Sequence, residues 1–532
     1  MEEEVIVSGP TWLSLLPPLI TIIIAFLSRR IIISLFFGIL SGAFIAAEYN
    51  LVAAGKKTAL VIWDKIELAN LQSLEAFNNS WNLFILLFCI LLGTLIGMFY
   101  RTGGASAYGR WALNRIKSRR GASLATMFLG WIIFFDDYFN CLTVGAVMRP
   151  VTDQFKISRA KLAYLIDSTT APICILAPVS TWVVEVINQL RIAGVKEPFE
   201  LFMKAIIFNT YSWLAIFLVF LVSISRRDFG PMKSIELRAL IDGELGAIEM
   251  DPDDPKYSVF RHDDSKIAYM RDLAIPLIIF IMLCIGFMFY TGNATIFGGK
   301  NSLLIALQKM HLAKSLFWGG LLGVILALFY YLARKLLTLR EAGEIFFKSI
   351  KIMFPVVLTL LFAWSLGAII SQDLQTGVYL ATLFKDSLTI AYLPVIIFFV
   401  SCLVSFSTGT SWGTFAIMIP IAVPLAQTLA PELMIPMIGA LLAGAIFGDH
   451  ASPISDTTIL SSVGAGCEHM DHVITQVPYS ILVAFSCCGG FLTSGFMINI
   501  GLMPTGILSM LISLIILTTL FFLITKKPLK YA

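Results

Sequence analysis

Apolar residues in this sequence fall into blocks long enough to cross a lipid bilayer, and the blocks recur from one end of the chain to the other. A transmembrane helix needs about 20 mostly apolar residues. Only 14% of the 532 residues are charged, whereas soluble domains carry about 25%. The sequence therefore predicts an all-α polytopic membrane protein embedded in the lipid bilayer. A net charge of +4 is too small to indicate a nucleic acid partner.

The apolar runs, separated at charged breaks, predict eleven spans and two interrupted stretches. The spans are 11–27, 31–47, 81–100, 160–190, 202–224, 273–290, 313–333, 350–370, 433–461, 477–499 and 504–524. The stretches 121–149 and 390–430 are apolar, but FDDYFN and SFSTGTSWGT interrupt them near the middle. Each interruption is typical of a re-entrant hairpin, which returns to the side of the membrane from which it entered.

Basic residues concentrate in short loops that this assignment places on one side of the membrane. The segment 101–120 carries six basic residues, including Arg110, and no acid. The other basic ends are Arg29 and Arg30, then Arg334, Lys335 and Arg340, and the tail KKPLKYA. Because basic loops stay in the cytoplasm, we expect a multi-pass protein of the plasma (inner) membrane. Its N-terminus would lie outside and its C-terminus in the cytoplasm.

The order of these segments is repeated in the two halves of the chain. Three spans, an interrupted hairpin, a long span with Pro and Asp, and a closing span occupy 11–224 and again 273–499. A polar, solvated cytoplasmic linker at 225–272 separates them. An extracytoplasmic segment, 1–10, precedes the repeats, and an extra C-terminal span with a cytoplasmic tail, 500–532, follows. Because an odd number of crossings separates the copies, we predict inverted-topology repeats, each with a re-entrant hairpin and a broken helix.

Five acidic residues fall inside the predicted membrane segments. They are Asp136, Asp137, Asp167, Asp449 and Asp456. A carboxylate at the centre of a membrane helix costs about 2.5 to 3.5 kcal/mol on insertion scales, so each is a functional candidate. They lie at one hairpin break and in the Pro-containing motifs DSTTAP and GDHASPISDTT. These positions predict one binding site near the middle of the membrane.

Helix breaks and oxygen ligands accompany these acids. Pro172 and Pro453 follow an Asp in the two long spans, and Gly409 and Gly413 lie in the second hairpin motif. We expect the helices to be broken at these four positions. Freed carbonyls, hydroxyls and carboxylates are hard ligands that suit alkali and alkaline-earth cations. The predicted ion- or substrate-binding residues are Asp136, Asp137, Asn140, Asp167, Thr169, Thr170, Thr410, Ser411, Thr414, Asp449, His450, Ser452, Asp456 and Thr457.

An acidic site of this kind can bind Na+ or protons. Burial can raise the pKa of a carboxylate into the range of cellular pH. Competition between the two ions for one set of carboxylates is enough for exchange, provided that the empty, unprotonated site does not change its exposure. Alternating access then requires that one repeat moves against the other.

Three motifs resemble the signatures of the NhaC-type Na+/H+ antiporter family, within a larger superfamily of inverted-repeat ion transporters. They are FFDDYFNCLTVGAVMRPVTDQFKISRAKLAYLIDSTTAPICILAPVSTWV, FSTGTSWGTFAIMIPIAVPLA and GDHASPISDTTILSS. The resemblance covers roughly residues 80–500 and implies secondary active transport of Na+ and H+ by alternating access. The resemblance also implies that the ion-binding residues are Asp136, Asp137, Asp167, Thr410, Ser411, Asp449, Ser452 and Asp456. Some members exchange organic acids or amino acids with these ions.

Alternative functions stay open at this point. The scaffold could exchange or co-transport a small organic acid or an amino acid with Na+ or H+, and it could form a homodimer. An intramembrane enzyme is a remote alternative, because catalysis does not require two oppositely oriented repeats. The membrane segments also lack GxSxG, HExxH and P-loop spacings. We expect a transporter that is not an enzyme and that needs no cofactor and no bound metal.

Other ionisable residues receive weaker interpretations. The segment CEHMDH, 467–472, has a spacing that suggests zinc, but the topology predicts a solvated cytoplasmic loop. There, His469 and His472 could instead sense pH. His450 is either a proton-linked partner of Asp449 or a polar filler. Glu185 either lines an access path in the outer part of the first long span or lies at the membrane interface.

Overall fold

The computed structural model describes residues 11–28, 30–104, 107, 115–178, 180–246, 268–384 and 389–525. These residues form α-helices joined by short turns, and they contain no β-strand. Four predicted features lie outside them. These are the N-terminal segment 1–10, Arg29 and Arg110 of the basic loops, the linker residues 247–267 and the tail KKPLKYA.

Twelve described helices precede the end of the linker. They are α1 (Leu16–Ser28), α2 (Ile31–Ala46), α3 (Leu51–Ile66), α4 (Leu74–Asn78), α5 (Asn82–Arg101), α6 (Arg119–Ile132), α7 (Asp137–Gln154), α8 (Arg159–Leu176), α9 (Thr181–Ile192), α10 (Pro198–Ala205), α11 (Thr210–Ser225) and α12 (Gly230–Ile241).

Eleven described helices follow the linker. They are α13 (Arg271–Thr291), α14 (Leu303–Lys309), α15 (Leu312–Ala333), α16 (Leu339–Ala368), α17 (Thr376–Phe384), α18 (Leu393–Thr408), α19 (Ser411–Leu429), α20 (Met434–Ala451), α21 (Asp456–Ala465), α22 (His469–Phe496) and α23 (Leu502–Ile524).

Within the described residues, nine helices are long and apolar enough to cross a membrane, and eleven are if each of two bent pairs counts as one span. The helices α1 and α2, both predicted as spans, are apolar but have only 13 and 16 residues. They pack against each other at the N-terminal end of the described chain. The protein is therefore an all-α, multi-pass membrane protein, as the apolar blocks predict.

Two spans begin earlier than the sequence predicts. The helix α16 begins at Leu339 rather than near 350, and α22 begins at His469 rather than near 477. In both cases the first turns of the helix carry charged or polar residues, which are typical of a loop sequence. Capping explains why they are helical, because Thr338 forms a capping box with Glu341 and Glu468 caps α22.

The helix breaks agree with only part of the sequence interpretation. Gly409 separates α18 from α19, and Pro453 lies between α20 and α21. Pro172 instead lies inside the continuous helix α8, so the predicted break there is wrong. The chain bends by 48° after Leu176, before α9 begins. Gly413 is likewise inside α19. A proline in a buried membrane helix is tolerated when neighbouring groups satisfy the carbonyl that it frees.

The helices form two packed groups. The first contains α1, α2, α5, α13, α15 and α16. The second contains two helical hairpins (α6–α7 and α18–α19), two broken helices (α8–α9 and α20–α21), α11, α22 and α23. Within the second group, elements of the two halves alternate, because α7 and α8 pack against α21, and α8 packs against α22. This arrangement brings the acidic motifs of both halves into one interior region.

The described part of the linker is packed, whereas the sequence predicts a solvated segment. Asp228, just before α12, forms a buried ion pair with Lys161 of α8. Glu236 of α12 is 2% exposed, pairs with Arg119 and accepts a hydrogen bond from the backbone N–H of Ser158 at 2.8 Å. In a sequence, a segment of mixed charge is typical of a solvated loop. Here, however, the acids of the linker pair with basic residues of the membrane bundle and with the N-terminus of one of its helices.

Candidate ion-binding site

The first hairpin places two polar residues at its turn, inside the bundle. Asp136 is the N-cap of α7, and its carboxylate accepts a hydrogen bond from the backbone N–H of Phe139 at 2.9 Å. The amide of Asn140 donates to two carbonyls at the end of α6, at 2.8 and 2.9 Å. Its side-chain oxygen accepts from the hydroxyl of Thr170 at 3.1 Å. Asn140 therefore joins α6, α7 and α8.

The second hairpin has a sharper turn, which depends on a glycine. Gly409 has φ of +68°, a conformation that other residues rarely adopt, and a Cβ there would lie 2.7 Å from Ile454. The next residue, Thr410, caps α19 with its hydroxyl. The hydroxyl of Ser411 then donates to Asp449 at 2.8 Å. The hairpin turn thus delivers a hydroxyl to the broken helix beside it.

Asp449 lies in the last turn of α20, is 1% exposed and accepts hydrogen bonds from three hydroxyls. Ser411 donates at 2.8 Å and Thr457 at 3.2 Å, and Ser455 also donates. Two of these hydroxyls follow Pro453, where the chain is not helical. The Asp449 carboxylate is therefore surrounded by neutral hydroxyl groups, one from the second hairpin and two from the chain that follows Pro453.

Asp137, the first residue of α7, is 1% exposed and has no hydrogen-bond donor on either carboxylate oxygen within the described chain. The indole N–H of Trp182 lies beside it but does not reach hydrogen-bond geometry. The charges of Asp136, Asp449 and Asp456 act on Asp137 in this interior. Asp137 is thus a buried carboxylate among other carboxylates.

Asp456 connects the turn of the first hairpin to the helix break at Pro453. It is the first residue of α21, it is half-buried, and its carboxylate accepts a hydrogen bond from the phenol of Tyr138. Tyr138 is the neighbour of Asp137 in the chain. One hydrogen bond therefore fixes the start of α7 in the first half beside the start of α21 in the second half.

Asp167 is fully buried in α8, and its hydrogen-bond donors come from the second half. The hydroxyls of Thr458 and Ser461 each donate at 3.2 Å. The amide of Gln476 also donates, and Nε2 of His472 lies 3.4 Å from Oδ2. Residues of α21 and α22 thus surround a carboxylate of the first half.

His450 follows Asp449 in the chain but faces a different neighbour. Its Nδ1 lies 3.2 Å from the phenol oxygen of Tyr211 on α11, and its Nε2 has no hydrogen-bond partner in the described structure. Its backbone carbonyl accepts from Gln476 at 2.9 Å. His450 is therefore connected to Asp167 through Gln476.

Some predicted residues bond to the backbone instead of to the carboxylates. Thr169 donates to the carbonyl of Leu165 in its own helix at 2.7 Å. Thr414 donates to the carbonyl of Thr410 at 2.9 Å, and Ser452 donates to that of Phe406 at 2.9 Å. Of the other predicted residues, Ser411 and Thr457 donate to Asp449, and His450 is linked to Asp167 through Gln476. Asn140 and Thr170 bond to each other and to backbone carbonyls, and the hydroxyl of Thr410 accepts from a backbone N–H.

Several residues of this network are not among the predicted binding residues, although His472 is predicted as a possible pH sensor. They are Tyr138, Trp182, Ser455, Thr458, Ser461, His472 and Gln476. Three of them lie in the motif GDHASPISDTTILSS, where hydroxyls alternate closely with the acids. His472 and Gln476 are four residues apart and therefore share one helix face, a signal that was hidden because the segment was interpreted as a loop.

The segment CEHMDH is not a solvated loop, and that prediction is wrong. Cys467 and His472 are buried, while the ring of His469 contacts Ser462 at 3.1 Å and the carbonyl of Pro453 at 2.7 Å. Burial raises the pKa of the Cys467 thiol to about 12, so the thiolate that binds metals is scarce at neutral pH. No group of three or more metal-ligating side chains occurs in the described ranges.

Glu185 lies inside the bundle rather than at the membrane interface. It is 1% exposed, accepts from the amide of Gln189 at 2.9 Å and accepts from the indole N–H of Trp364. Gln189 belongs to α9 of the second helix group, and Trp364 belongs to α16 of the first group. Glu185 therefore has a structural contact that the sequence did not predict.

Two adjoining clefts lie between α9, α10, α13 and α14. The first has a volume of about 470 Å³, is mostly apolar and reaches Pro178, next to the bend between α8 and α9. The second has a volume of about 330 Å³, and its lining includes the basic residues Arg191, Lys196 and Lys309 and the acidic residues Glu197 and Glu200. Phe199, Glu200 and Met310 line both clefts.

Comparisons with known proteins give a consistent family. A family model for the Na+/H+ antiporter family matches residues 173–496. An uncharacterised protein of Haemophilus influenzae is 37% identical over 497 residues, which is 92% of each chain. An uncharacterised Na(+)/H(+) antiporter of the same organism is 41% identical over 101 residues, 18% of this chain and 20% of its own. The malate-2H(+)/Na(+)-lactate antiporter of Bacillus subtilis is 31% identical over 136 residues, 25% of this chain and 29% of its own.

Solved structures show a weaker similarity. MtrF of Neisseria gonorrhoeae, described with a class of antimetabolite efflux pumps, has 14% identity and a TM-score of 0.40, and covers 92% of this chain and 87% of its own. The YdaH transporter of Alcanivorax borkumensis has 13% identity and a TM-score of 0.41, and covers 84% of this chain and 86% of its own. The prediction of a transporter rather than an enzyme is confirmed by the family model. Because that model matches more than half of the residues, the chain belongs to the Na+/H+ antiporter family.

Proposed function

We propose that the protein is a secondary active transporter that exchanges Na+ for H+ by alternating access. The transported ions would compete for the carboxylates of Asp137, Asp449 and Asp456, with Asp136 holding the hairpin turn. The single observation that carries this proposal is the environment of Asp137. Its carboxylate is buried, has no hydrogen-bond donor in the described chain and lies among other acids.

A buried carboxylate without a partner is unstable as an anion. The effective cost of removing an ion from water is of the order of several kcal/mol, unless an opposite charge or hydrogen bonds compensate. A bound Na+ or a proton would each remove this cost. Because either ion alone neutralises the carboxylate, the site would bind Na+ or a proton but not both. Exchange requires this competition.

The oxygen groups around Asp449 are suitable Na+ ligands. Ser411, Ser455 and Thr457 each direct a hydroxyl to this carboxylate. A hydroxyl that donates its proton still has lone pairs to offer a cation, and hard oxygen ligands suit alkali ions. We infer that Na+ would bind between this cluster and Asp137.

The order of the helices supports two oppositely oriented repeats. The hairpins α6–α7 and α18–α19 are followed by the broken helices α8–α9 and α20–α21, and then by α11 and α22. We propose that 11–224 and 273–499 are inverted-topology repeats, with 225–272 as the cytoplasmic linker and 500–532 as the additional span and tail. The hairpins would re-enter from opposite sides and move relative to the first helix group.

Ion pairs made by the basic loops are consistent with the proposed orientation in the membrane. Arg101 pairs with Glu341, Arg334 with Asp272, and Arg119 with Glu236. All three basic residues belong to the loops that the charge rule assigns to the cytoplasm. A cytoplasmic position of these residues is what an N-terminus outside and a C-terminus inside would produce.

The test uses purified protein in proteoliposomes that contain a pH-sensitive dye. Addition of Na+ outside should acidify the exterior and make the lumen alkaline, and Li+ and K+ measure selectivity. Vesicles with the Asp449→Asn variant should respond little, because the carboxylate that collects three hydroxyls is gone. If wild-type vesicles respond to none of the cations, Na+/H+ exchange is not the function.

A second candidate is exchange of a small organic acid with the same ions. The specific observation that favours it is a cleft whose lining has three basic residues, Arg191, Lys196 and Lys309, against two acidic ones, Glu197 and Glu200; a basic side chain there would be available to pair with a substrate carboxylate. The name of the B. subtilis relative, a malate-2H(+)/Na(+)-lactate antiporter, points to the same substrate class. Adding malate, lactate and amino acids with Na+ to the same vesicles distinguishes the two, because a signal that requires the organic acid would replace simple Na+/H+ exchange.

A further inference from the structure

His472 is a buried histidine beside a buried carboxylate of the other half. It lies in the first turn of α22, it is fully buried, and its Nε2 is 3.4 Å from Oδ2 of Asp167. Neither ring nitrogen has a partner in hydrogen-bond geometry within the described structure. An imidazole that packed only as a filler would be expected to have at least one nitrogen bonded, since buried polar atoms are normally paired.

A second imidazole lies close to the same carboxylate. Gln476 bridges His450 and Asp167, because its amide donates both to Asp167 and to the carbonyl of His450. The Nδ1 of His450 contacts Tyr211, while its Nε2 has no partner in the described chain. Asp167 is thus surrounded by groups that can carry protons.

The carboxylates of the two broken helices therefore have different chemical surroundings. Asp449 accepts from three hydroxyls, whose oxygens suit a cation. Asp167 has imidazoles nearby, and an imidazole titrates near neutral pH and binds a proton rather than an alkali ion. The sequence motifs DSTTAP and GDHASP do not distinguish these two roles.

One short helix contacts both carboxylates. Consecutive residues of α21 point to different acids, because Thr457 donates to Asp449 and Thr458 donates to Asp167. Ser461, one turn later, also donates to Asp167. A displacement of α21 on cation binding would therefore change the contacts of the other carboxylate.

We propose that Asp167 and His472 form a second proton site, which passes protons between water and the Asp449 cluster where Na+ and H+ compete, an inference that rests on the proposed Na+/H+ exchange. In the loaded state, a proton on Nε2 of His472 makes an imidazolium that pairs with the carboxylate of Asp167. Release of that proton to water leaves a neutral imidazole and the carboxylate. His450 is the second protonatable group next to this pair.

Other titratable groups stand on the helices packed against α22. They are Lys161 and Tyr164 of α8, Tyr211 of α11, Lys233, Glu236 and Arg238 of α12, Cys402 of α18, Asp449 and His450 of α20, and Asp456 of α21. Only Asp167 is placed to form an ion pair with His472 in the described residues.

The experiment compares two activities of the same proteoliposomes. One is exchange of radioactive Na+ for unlabelled Na+, which requires the cation site but no net proton movement, and the other is Na+-driven proton efflux. His472→Gln should keep Na+/Na+ exchange near the wild-type rate and lower proton efflux by about a hundredfold, the scale of a lost proton-transfer group. The control is His311→Asn, which replaces a histidine that caps α15 with another good cap.

Three outcomes are informative. Equal loss of both activities in His472→Gln would indicate a structural role and overturn the proposal, as would unchanged proton efflux. Absence of both activities in the wild type would instead contradict the proposed function itself. In that case the assignment of His472 would fail together with the exchange on which it rests.

A second measurement does not depend on the variant. The chain has five histidines, so the ring nitrogen signals of wild-type protein labelled with 15N-histidine can be followed by NMR. Addition of Na+ at constant pH should convert at least one buried imidazole from its protonated to its neutral form. If no imidazole responds to Na+, the proton site does not include a histidine.

Discussion

Gly145 of α7 and Gly464 of α21 meet backbone to backbone. A Cβ built on Gly145 would overlap the carbonyl group of Gly464, and one built on Gly464 would overlap the carbonyl oxygen of Cys141. Small residues allow such close approach between membrane helices. Because these two helices begin at Asp137 and Asp456, their contact holds carboxylates from both halves in a fixed arrangement.

Gly145→Ala should therefore destabilise the protein and impair transport. The added methyl group must push α7 away from α21, and overpacking of this kind costs about 1 to 3 kcal/mol. The measurement is the thermal midpoint of the purified protein in detergent, with Na+-driven proton flux as the second readout. The control is Gly286→Ala on α13, where a Cβ would meet nothing within 4 Å. Equal midpoints for the two variants would contradict the contact.

Asp137→Asn should reduce transport but increase stability. The amide keeps the shape and removes a charge that no donor in the described structure satisfies. Loss of an interaction with a charged group is worth about 1.5 to 3 kcal/mol, so we expect a fall of about ten- to a hundredfold in Na+-driven proton efflux. Meanwhile the thermal midpoint in Na+-free buffer near pH 8 should rise.

The control for Asp137 is Asp373→Asn. Asp373 forms a half-exposed ion pair with Lys57, and exposed pairs contribute about 0 to 1 kcal/mol. Both readouts should stay near the wild type in this variant. Normal transport by Asp137→Asn, or a lowered midpoint, would show that the carboxylate is structural rather than part of the ion site.

Opposite entry of the hairpins can be tested by labelling from the two sides of the membrane. Lys117 precedes the first hairpin and Thr389 precedes the second, and both are exposed. In intact cells an impermeant maleimide should modify Thr389→Cys, while Lys117→Cys should react only after the membrane is permeabilised. The native cysteines are buried or half-buried and give the background. Reaction of both variants from the same side would rule out inverted repeats.

Asp228→Asn should strongly destabilise the bundle, although it lies in the linker. Asp228 and Lys161 form an ion pair with side chains 5% and 4% exposed, and the phenol of Tyr479 also donates to Asp228 at 2.9 Å. Removal of one partner of a buried pair costs about 3 to 5 kcal/mol. Thermal unfolding in detergent measures this loss.

Two further variants identify the cause of that loss. Removing the second charge as well, in Lys161→Met with Asp228→Asn, should recover part of the stability, because no buried charge is left alone. Glu344→Gln is the matched control, since its pair with Arg340 is exposed and should contribute about 0.3 to 0.5 kcal/mol. Equal effects of Asp228→Asn and Glu344→Gln would mean that the linker does not brace the bundle.

Much of the fold could be predicted from local patterns. Runs of apolar residues locate most of the spans, because each helix in lipid must satisfy its own backbone and present apolar side chains. The break at Gly409 follows from the residue itself, since its φ of +68° favours glycine. The break predicted at Pro172 is wrong, because whether a proline interrupts a membrane helix depends on whether neighbouring groups donate a hydrogen bond to the carbonyl that it frees.

The sequence by itself determined the membrane class, the family and the five interior acids, because burying charge in a bilayer is so costly that its occurrence is informative. Only the tertiary structure decided how these acids differ. Asp449 receives hydroxyls, Asp137 receives no donor within the described chain, and Asp167 receives an imidazole from a segment that resembles a polar loop. The physical reason is that a carboxylate's chemistry depends on the donors that reach it, and here those donors come from helices up to 309 residues away in the chain.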